Sequence, residues 1–394
     1  MRRQEEELSL GDEMLEKPGV EPRLSGDGAL PSTEEQELPF FNRRRILQTG
    51  LIVALLVVGI YFLFPKIAGL EDAIAKLDDA QAGWLVVGLG FSVVAFATYI
   101  ALFRAVVGGD VLPLSWSEAY QINMASLAAT RLFSAGGAGG IVLTYWALRK
   151  AGMERRQSAR RMIAFLVLQY AFYPVALVIF GILLRTGVLH GDAPLEMTII
   201  PAAIAGILIV IGVLITLIPH DFEQRIARFA QGHRRVALAR RLATGPATLA
   251  DGVRTAFGLF ADPKRGGLAV LGAAGFWAAN IAILWASFKA YGESVPVGVI
   301  VQGFFVGMAA NLIPFAPAGV GAVDAGMIGT FAIFGLPGAT VFAAVLSYRL
   351  LAFWLPLVPG AAAFLQLRGT VHRWEREGRP VERLRRRAAS PVPG

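Results

Sequence analysis

The chain contains no cysteine among its 394 residues. This absence excludes disulfide bonds, thiolate metal ligands and cysteine nucleophiles. Histidine is scarce as well, and the four present stand far apart and outside the apolar runs, at His190, His220, His233 and His372. No two of them have the spacing of paired metal ligands, and the chain has no nucleotide-binding motif. We therefore predict no metal centre and no cofactor.

Charge is also sparse. Charged residues make up 17% of the chain and hydrophobic residues 55%, with a mean hydropathy of +0.56. This composition is too apolar for an ordinary soluble domain and predicts an all-α, polytopic transmembrane helix bundle. The net charge of +8 comes from arginines in segments beside the apolar runs. Positive-inside orientation and anionic lipid headgroups explain that placement better than nucleic acid does, so membrane lipids are the expected partners.

Six apolar runs are long enough to cross a bilayer of about 30 Å, at roughly 46–64, 84–107, 162–184, 197–218, 267–290 and 339–366. The arginine-rich loops, including the linker 219–266, should be cytoplasmic. We predict a disordered tail at 1–44, a transmembrane domain at 45–367 and a basic tail at 368–394. Both tails would be cytoplasmic, in a protein anchored in the plasma (inner) membrane.

A helix-breaking segment, Asn311 to Gly326, interrupts one of the apolar regions. Pro314 and Pro317 each remove a backbone donor, and Gly319 and Gly321 favour non-helical backbone. Non-helical backbone at membrane depth is tolerated only where protein or a water-filled cavity satisfies its polar groups. The break therefore predicts a cavity.

A looser copy of this segment lies upstream, where Phe133–Gly140 aligns with Phe315–Ala322. The leading phenylalanine and both glycines of a G-x-G coincide. If the basic loops are cytoplasmic and each apolar run crosses the membrane once, segment 118–148 must enter and leave the membrane from the cytoplasmic side. Segment 297–334 must enter and leave it from outside. We expect two broken hairpins that point at each other. Whether each is re-entrant or crosses the membrane fully twice is left open.

The two hairpins sit inside segments of equal length, 84–184 and 267–367. Each segment reads as span, hairpin, span, and the two have opposite predicted orientations. This is the inverted-topology repeat that many secondary transporters use to build a site near the bilayer midplane. We therefore predict the functional site where the hairpins meet.

Charged side chains inside spans are costly and usually functional. Arg349 lies near the middle of the last span, Arg131 just before the first break, and Asp324 just after the second. Arg131 and Arg349 would form a cationic pocket for a phosphate. In the alternative interpretation, Asp324 forms a structural ion pair with one of the arginines. The predicted binding set is completed by Asn311, Gly137, Gly139, Gly319, Gly321 and Tyr348; no catalytic residue is expected.

Three motifs carry a family resemblance: Arg131 to Arg149, Asn311 to Asp324, and Ser347 to Arg349. With them, the chain resembles the flippase-like transmembrane family named for the membrane domain of lysylphosphatidylglycerol synthase, over roughly 45–367. The resemblance implies an inner-membrane protein that moves or handles anionic or modified lipids, or serves polyprenol-linked glycan pathways.

Two positions depart from the family pattern. Many relatives carry a Gly-Glu pair where this chain has Gly139 and Gly140, and a glutamate where it has Asp324. The chain is also expected to lack room for the soluble aminoacyl-transferase domain of the full synthase, so it should not make lysyl-lipid itself.

Three functional hypotheses remain open from the sequence. The first is a lipid flippase or scramblase that holds a lipid phosphate with Arg131 and Arg349. The second is a membrane transferase acting on a polyprenyl-linked lipid, which would require a positioned base such as Asp324. The third is an accessory scaffold for envelope synthesis. Envelope-synthesis enzymes or a second copy of the chain are possible protein partners.

Overall fold

The computed structural model describes residues 76–108, 112–132, 138–217, 236–312 and 321–378. These residues form a helical bundle and contain no strand. Its α-helices are α1 (Ala82–Phe103), α2 (Trp116–Leu132), α3 (Ala138–Lys150), α4 (Arg155–Arg185), α5 (Ile199–Thr216), α6 (Val236–Ala261), α7 (Pro263–Ala290), α8 (Val297–Met308), α9 (Ala322–Ile333), α10 (Gly338–Arg349) and α11 (Leu357–Arg376). The predicted all-α class is confirmed.

Within the described ranges, five stretches are long and apolar enough to cross a membrane, namely Ala82–Gly108, Arg155–Arg185, Ile199–Thr216, Gly266–Ala290 and Gly338–Arg376. They match five of the six predicted runs. The sixth run, 46–64, lies outside the described residues, as do the predicted tail at 1–44 and most of the basic tail. On α5 the side chains of Ile204, Ile207 and Val210 are more than half exposed, as expected for a surface that faces lipid.

Helices α2 and α3 form an antiparallel hairpin. The hydroxyl of Thr144 on α3 donates to that of Ser126 on α2 at 2.8 Å. One turn nearer the hairpin tip, Gly140 faces the Ser126 carbonyl and Thr130 so closely that a Cβ would clash with both. The small residue at 140 therefore sets how closely the two helices approach, and a glutamate there would force them apart.

Helices α8 and α9 form the second antiparallel hairpin. Gly303 faces Phe331, and a Cβ at Gly307 would lie 2.7 Å from the Cα of Met327. The helical part of α8 ends at Met308 and continues as a 3₁₀ turn over Ala309–Leu312, so the predicted break is confirmed. Each of the two helices has 12 residues, or about 18 Å, which is less than the thickness of the hydrocarbon core.

The two halves of the bundle pack reciprocally. Helices α1 and α7, the first spans of the two predicted repeats, pack on each other, with Gly272 of α7 directly against the backbone of Leu102. The first helix of each hairpin packs on the last span of the other half, α2 on α11 and α8 on α4. The repeat assignment is consistent with this exchange. The repeat itself, and the opposite orientation of its halves in a bilayer, stay predictions.

Aromatic residues join α4, α7 and α8 in the core. Trp277 of α7 is 5% exposed and lies edge-on to Tyr173 of α4, with ring centroids 4.7 Å apart. Phe305 of α8 contacts both rings. The indole N–H of Trp277 donates to the Gln169 carbonyl at 2.6 Å, which satisfies a polar group inside an apolar layer. This packing holds the second hairpin against the spans.

Candidate functional site

A buried ion pair joins two of the predicted site residues. The Nε of Arg349, the last residue of α10, lies 2.7 Å from Oδ1 of Asp324 in the first turn of α9. The side chains are 5% and 6% exposed. The N–H does not point along the line between the atoms, so the contact is an ion pair without hydrogen-bond geometry. The alternative interpretation, in which Asp324 pairs with an arginine, describes this contact.

Asp324 is held in place by the helix break that precedes it. Its second oxygen, Oδ2, accepts a hydrogen bond from the backbone N–H of Gly321 at 2.9 Å. Gly321 has φ 81°, in the left-handed region that favours glycine. A carboxylate is also favoured in the first turn of a helix, where backbone N–H groups are unpaired. The glycine at the break thus places the carboxylate that Arg349 meets.

Arg131 reaches the same region from the end of α2. Its Nη2 donates to the Ala352 carbonyl at 3.0 Å and its Nη1 donates to the Phe353 carbonyl. Both carbonyls belong to a π turn, Leu350–Trp354, that follows α10 directly. The bonds of a π turn run from the N–H of residue i+5 to the carbonyl of residue i, and the Leu355 N–H donates to the Leu350 carbonyl at 2.9 Å. Arg131 therefore ties the end of α2 to two carbonyls of this turn.

The neighbouring carbonyl in the π turn also accepts from a side chain. The hydroxyl of Ser92 on α1 donates to the Leu351 carbonyl at 2.9 Å. In the i+5 pattern of the turn, the backbone donor for this carbonyl would be residue 356, which is a proline and has no N–H. Three consecutive carbonyls, 351 to 353, thus accept hydrogen bonds from side chains of other helices. This meets the requirement that irregular backbone at membrane depth find polar partners within the protein.

The ring of Phe353 joins the two arginines. The guanidinium carbon of Arg131 lies 4.5 Å from the ring centroid and that of Arg349 lies 4.2 Å from it. Two positive charges therefore stand within a few ångströms of one aromatic ring, which attracts cations through its π face. The prediction that Arg131 and Arg349 come together is consistent with this geometry.

The charges at this site do not cancel. Arg349 has Asp324 as its partner, and within the described ranges no carboxylate lies at salt-bridge distance from Arg131. The sequences 133–137 and 313–320, which connect the two helices of each hairpin, contain no acidic residue. In addition, Nη2 of Arg349 is buried and has no hydrogen-bond partner among the described residues. Among the residues that the structure describes, the site therefore has one surplus positive charge and one buried N–H group without a hydrogen bond.

The remaining predicted site residues lie in different places. Tyr348 is 3% exposed, and its hydroxyl donates to Oδ1 of Asn280 at 3.3 Å, so it links α10 to α7. Gly139 is half-buried near the start of α3, and Asn311 is exposed in the 3₁₀ turn after α8. Gly137 and Gly319 lie outside the described residues.

The sequence interpretation did not include Phe353 or the role of Pro356. A signal for Phe353 was present, because residues four apart lie on one face of a helix and Phe353 follows Arg349 by four. The carbonyl contacts of Arg131 had no local signal, since Arg131 and Ala352 are separated by 221 residues in the chain.

The comparison with known families agrees with this architecture. A family model described as the lysylphosphatidylglycerol synthase TM region matches residues 49–360. The chain belongs to this family. The family region includes Arg131, Asp324 and Arg349 and all helices from α1 to the start of α11. Membership also accords with the candidate spans, and the protein is a multi-pass membrane protein.

One curated relative is similar over a shorter stretch. A UPF0104 membrane protein from Methanothermobacter thermautotrophicus is 32% identical over 87 residues, which is 22% of this chain and 26% of the relative. The chain thus matches about a quarter of that relative's length. This similarity is local.

Proposed function

We propose that the protein is a lipid translocase of the flippase type, which binds the negatively charged headgroup of a membrane lipid at Arg131 and Arg349. The ligand is an anionic phospholipid or a polyprenyl-phosphate-linked lipid. One observation carries this proposal: a surplus positive charge lies among helices that have the length and composition of membrane spans. An uncompensated charge inside a membrane is costly and usually marks a ligand path, and a bound phosphate would compensate it.

The chemistry of the two arginines suits a lipid phosphate. A guanidinium group presents several N–H donors in one plane and binds phosphate oxygens in pairs. Arg349 has a buried Nη2 available for such a bond. Asp324 then holds Arg349 in place, and the Ala352 and Phe353 carbonyls hold Arg131.

The proposed movement uses the two hairpins. We expect both to be re-entrant and to approach the site from opposite sides of the membrane, as in transporters built from inverted repeats. The lengths of α8 and α9 support this for the second hairpin. Rocking of one repeat against the other would expose the headgroup site first to one leaflet and then to the other. Downhill lipid flow or an ion gradient would drive net movement.

The family supports a lipid as the ligand, since its name is that of a synthase of a modified phospholipid. We place the protein in the plasma membrane with both termini in the cytoplasm, on the positive-inside rule. Envelope-synthesis enzymes or a second copy of the chain are the protein partners we would look for.

A transferase receives less support from the site. The only acidic residue of the set, Asp324, contacts Arg349 through one oxygen and the Gly321 N–H through the other. A general base needs a lone pair free for the proton it removes. An accessory scaffold is the second candidate, and the observation in its favour is that Arg131 and Arg349 both have structural contacts within the protein.

Movement of labelled lipids in proteoliposomes tests the proposal. Native protein should move an anionic phospholipid faster than empty vesicles do, and Arg131→Gln should lower the rate at least about tenfold. Arg104→Gln is the matched control, because Arg104 also bonds a backbone carbonyl and stacks on an aromatic ring at 4.5 Å but has no part in the ion pair. If native protein moves no lipid, or if Arg131→Gln moves it normally, the translocase proposal fails and the scaffold is favoured.

A further inference from the structure

The net charge of the site follows from its three charged side chains. Arg131 and Arg349 contribute two positive charges within 4.5 Å of the Phe353 ring centroid, and Asp324 contributes one negative charge at 2.7 Å from Arg349. The sequences 133–137 and 313–320 contain no charged residue. Counted over the described residues, the net charge of the site without a ligand is therefore one positive. In a low-dielectric environment, a bound group that leaves an unbalanced charge is disfavoured far more than in water.

The donors of the site match a phosphate group. Nη2 of Arg349 is buried without a partner among the described residues, in a side chain that is 5% exposed. A guanidinium group has five N–H donors, and Arg131 donates only some of them to the carbonyls of Ala352 and Phe353. A phosphate between the two guanidinium groups would accept from both.

We propose that this site selects a lipid whose phosphate is a singly charged diester over one whose phosphate is a doubly charged monoester. The inference rests on the proposed function, since it assumes that the headgroup binds at this site. A diester brings the net charge of the site to zero. A monoester, whose second pKa is about 6, brings a further negative charge that no described residue of the site balances. The preferred class includes anionic glycerophospholipids and sugar-phosphoryl polyprenols, and excludes polyprenyl monophosphates.

Competition binding measures this preference directly. Native protein in detergent micelles is loaded with a fluorescent phosphatidylglycerol, at a pH well above the second pKa of a monoester. Phosphatidylglycerol and phosphatidic acid with identical acyl chains then compete for it. We expect phosphatidylglycerol to compete at least about tenfold better. Water-soluble glycerophosphoglycerol should compete weakly, and equal competition by it would show that the site recognises a free diester and not a lipid.

Changing the charge of the site should change the preference. Asp324→Asn raises the net charge to two positive and keeps an oxygen that can accept from the Gly321 N–H. In this variant phosphatidic acid should compete better than phosphatidylglycerol, a reversal of at least about tenfold in their ratio. Arg131→Gln lowers the net charge to zero and should weaken binding of both lipids. Arg104→Gln, which alters an arginine beside a surface cavity of about 460 Å³, should change neither.

The outcomes separate this inference from the proposed function. If phosphatidylglycerol and phosphatidic acid compete equally with the native protein, the charge count is wrong while anionic lipid binding stands. If neither lipid displaces the probe, or if Arg104→Gln weakens binding as much as Arg131→Gln does, the proposed site itself is wrong. Should Asp324→Asn fail to insert, the ratio for the native protein decides alone.

Discussion

The guanidinium group of Arg131 donates a hydrogen bond to the carbonyl of Ala352 at 3.0 Å, across 221 residues of sequence. The contact ties the first hairpin to the π turn that follows Arg349. Arg131 thus has a structural bond and a charge that no described carboxylate balances.

Ser92 and Pro356 predict a coupled pair of substitutions. Ser92→Ala leaves the Leu351 carbonyl without its side-chain donor and should cost about 1–3 kcal/mol of stability. Pro356→Ala supplies a backbone N–H for the same carbonyl in the i+5 pattern of the π turn, so Ser92→Ala should cost clearly less in that background. Thermal unfolding of the purified variants measures both effects. An equal cost in the two backgrounds would contradict the role assigned to Pro356.

The ion pair between Arg349 and Asp324 predicts a second pair of substitutions whose effects on stability are coupled. Asp324→Asn alone leaves the buried Arg349 without its carboxylate, and Arg349→Gln alone removes the cation that Asp324 contacts. Each should lower stability by about 3–5 kcal/mol. The double substitution removes both charges and should cost much less than the sum of the two single costs. The same unfolding measurement, made without anionic lipid, checks this. Additive costs would mean that the two side chains do not interact in the membrane domain.

The left-handed backbone conformation of Gly321 predicts that replacing it with a residue that has a side chain lowers stability. With φ 81°, Gly321→Ala should cost about 1–3 kcal/mol and should loosen the Asp324 carboxylate that the Gly321 N–H holds. Gly212→Ala on α5 is the control, because a Cβ there would meet no atom within 4 Å. Lipid binding should fall in the first variant only. Equal behaviour of the two variants would show that the break does not position Asp324.

The inverted repeat predicts the side from which each hairpin tip is reached. The native chain has no cysteine to remove, so single thiols can be introduced directly. A thiol at Ser134 should react from the cytoplasmic side and one at Ala318 from outside. Thiols at the exposed positions Arg376 and Val188 are the reference sites, which we expect to react from the inside and from the outside, respectively. Labelling of both hairpin tips from one side contradicts the opposed arrangement.

Much of the fold could be predicted from local pattern. Long apolar runs predicted the spans, because lipid requires such lengths. Pro314 and Pro317 with their glycines predicted where the helix of the second hairpin ends. Alignment of Phe133 with Phe315 predicted two hairpins in equivalent places, and the described helices α2 to α3 and α8 to α9 occupy those places.

The site could be predicted only in part. Charged side chains inside a membrane span cost free energy, and this reasoning selected Arg131, Asp324 and Arg349 as candidates. It left open whether Asp324 pairs with one of the two arginines. The contacts of Arg131 with Ala352 and Phe353 depend on how α2 packs on α11, which no single stretch of sequence specifies. Tyr348 was included because it precedes Arg349. Neighbouring residues of a helix face different directions, and the hydroxyl of Tyr348 contacts Asn280.

The most direct test of the central claim is to find where a lipid headgroup contacts the protein. Phosphatidylglycerol with a photoreactive group beside its phosphate is reconstituted with native protein, irradiated, and the labelled residues are mapped by mass spectrometry. The account predicts label in the π turn Leu350–Trp354 and at the end of α2, lowered several-fold in Arg131→Gln and unchanged in Arg104→Gln. Label confined to lipid-facing residues such as those of α5, and unaffected by Arg131→Gln, would contradict it.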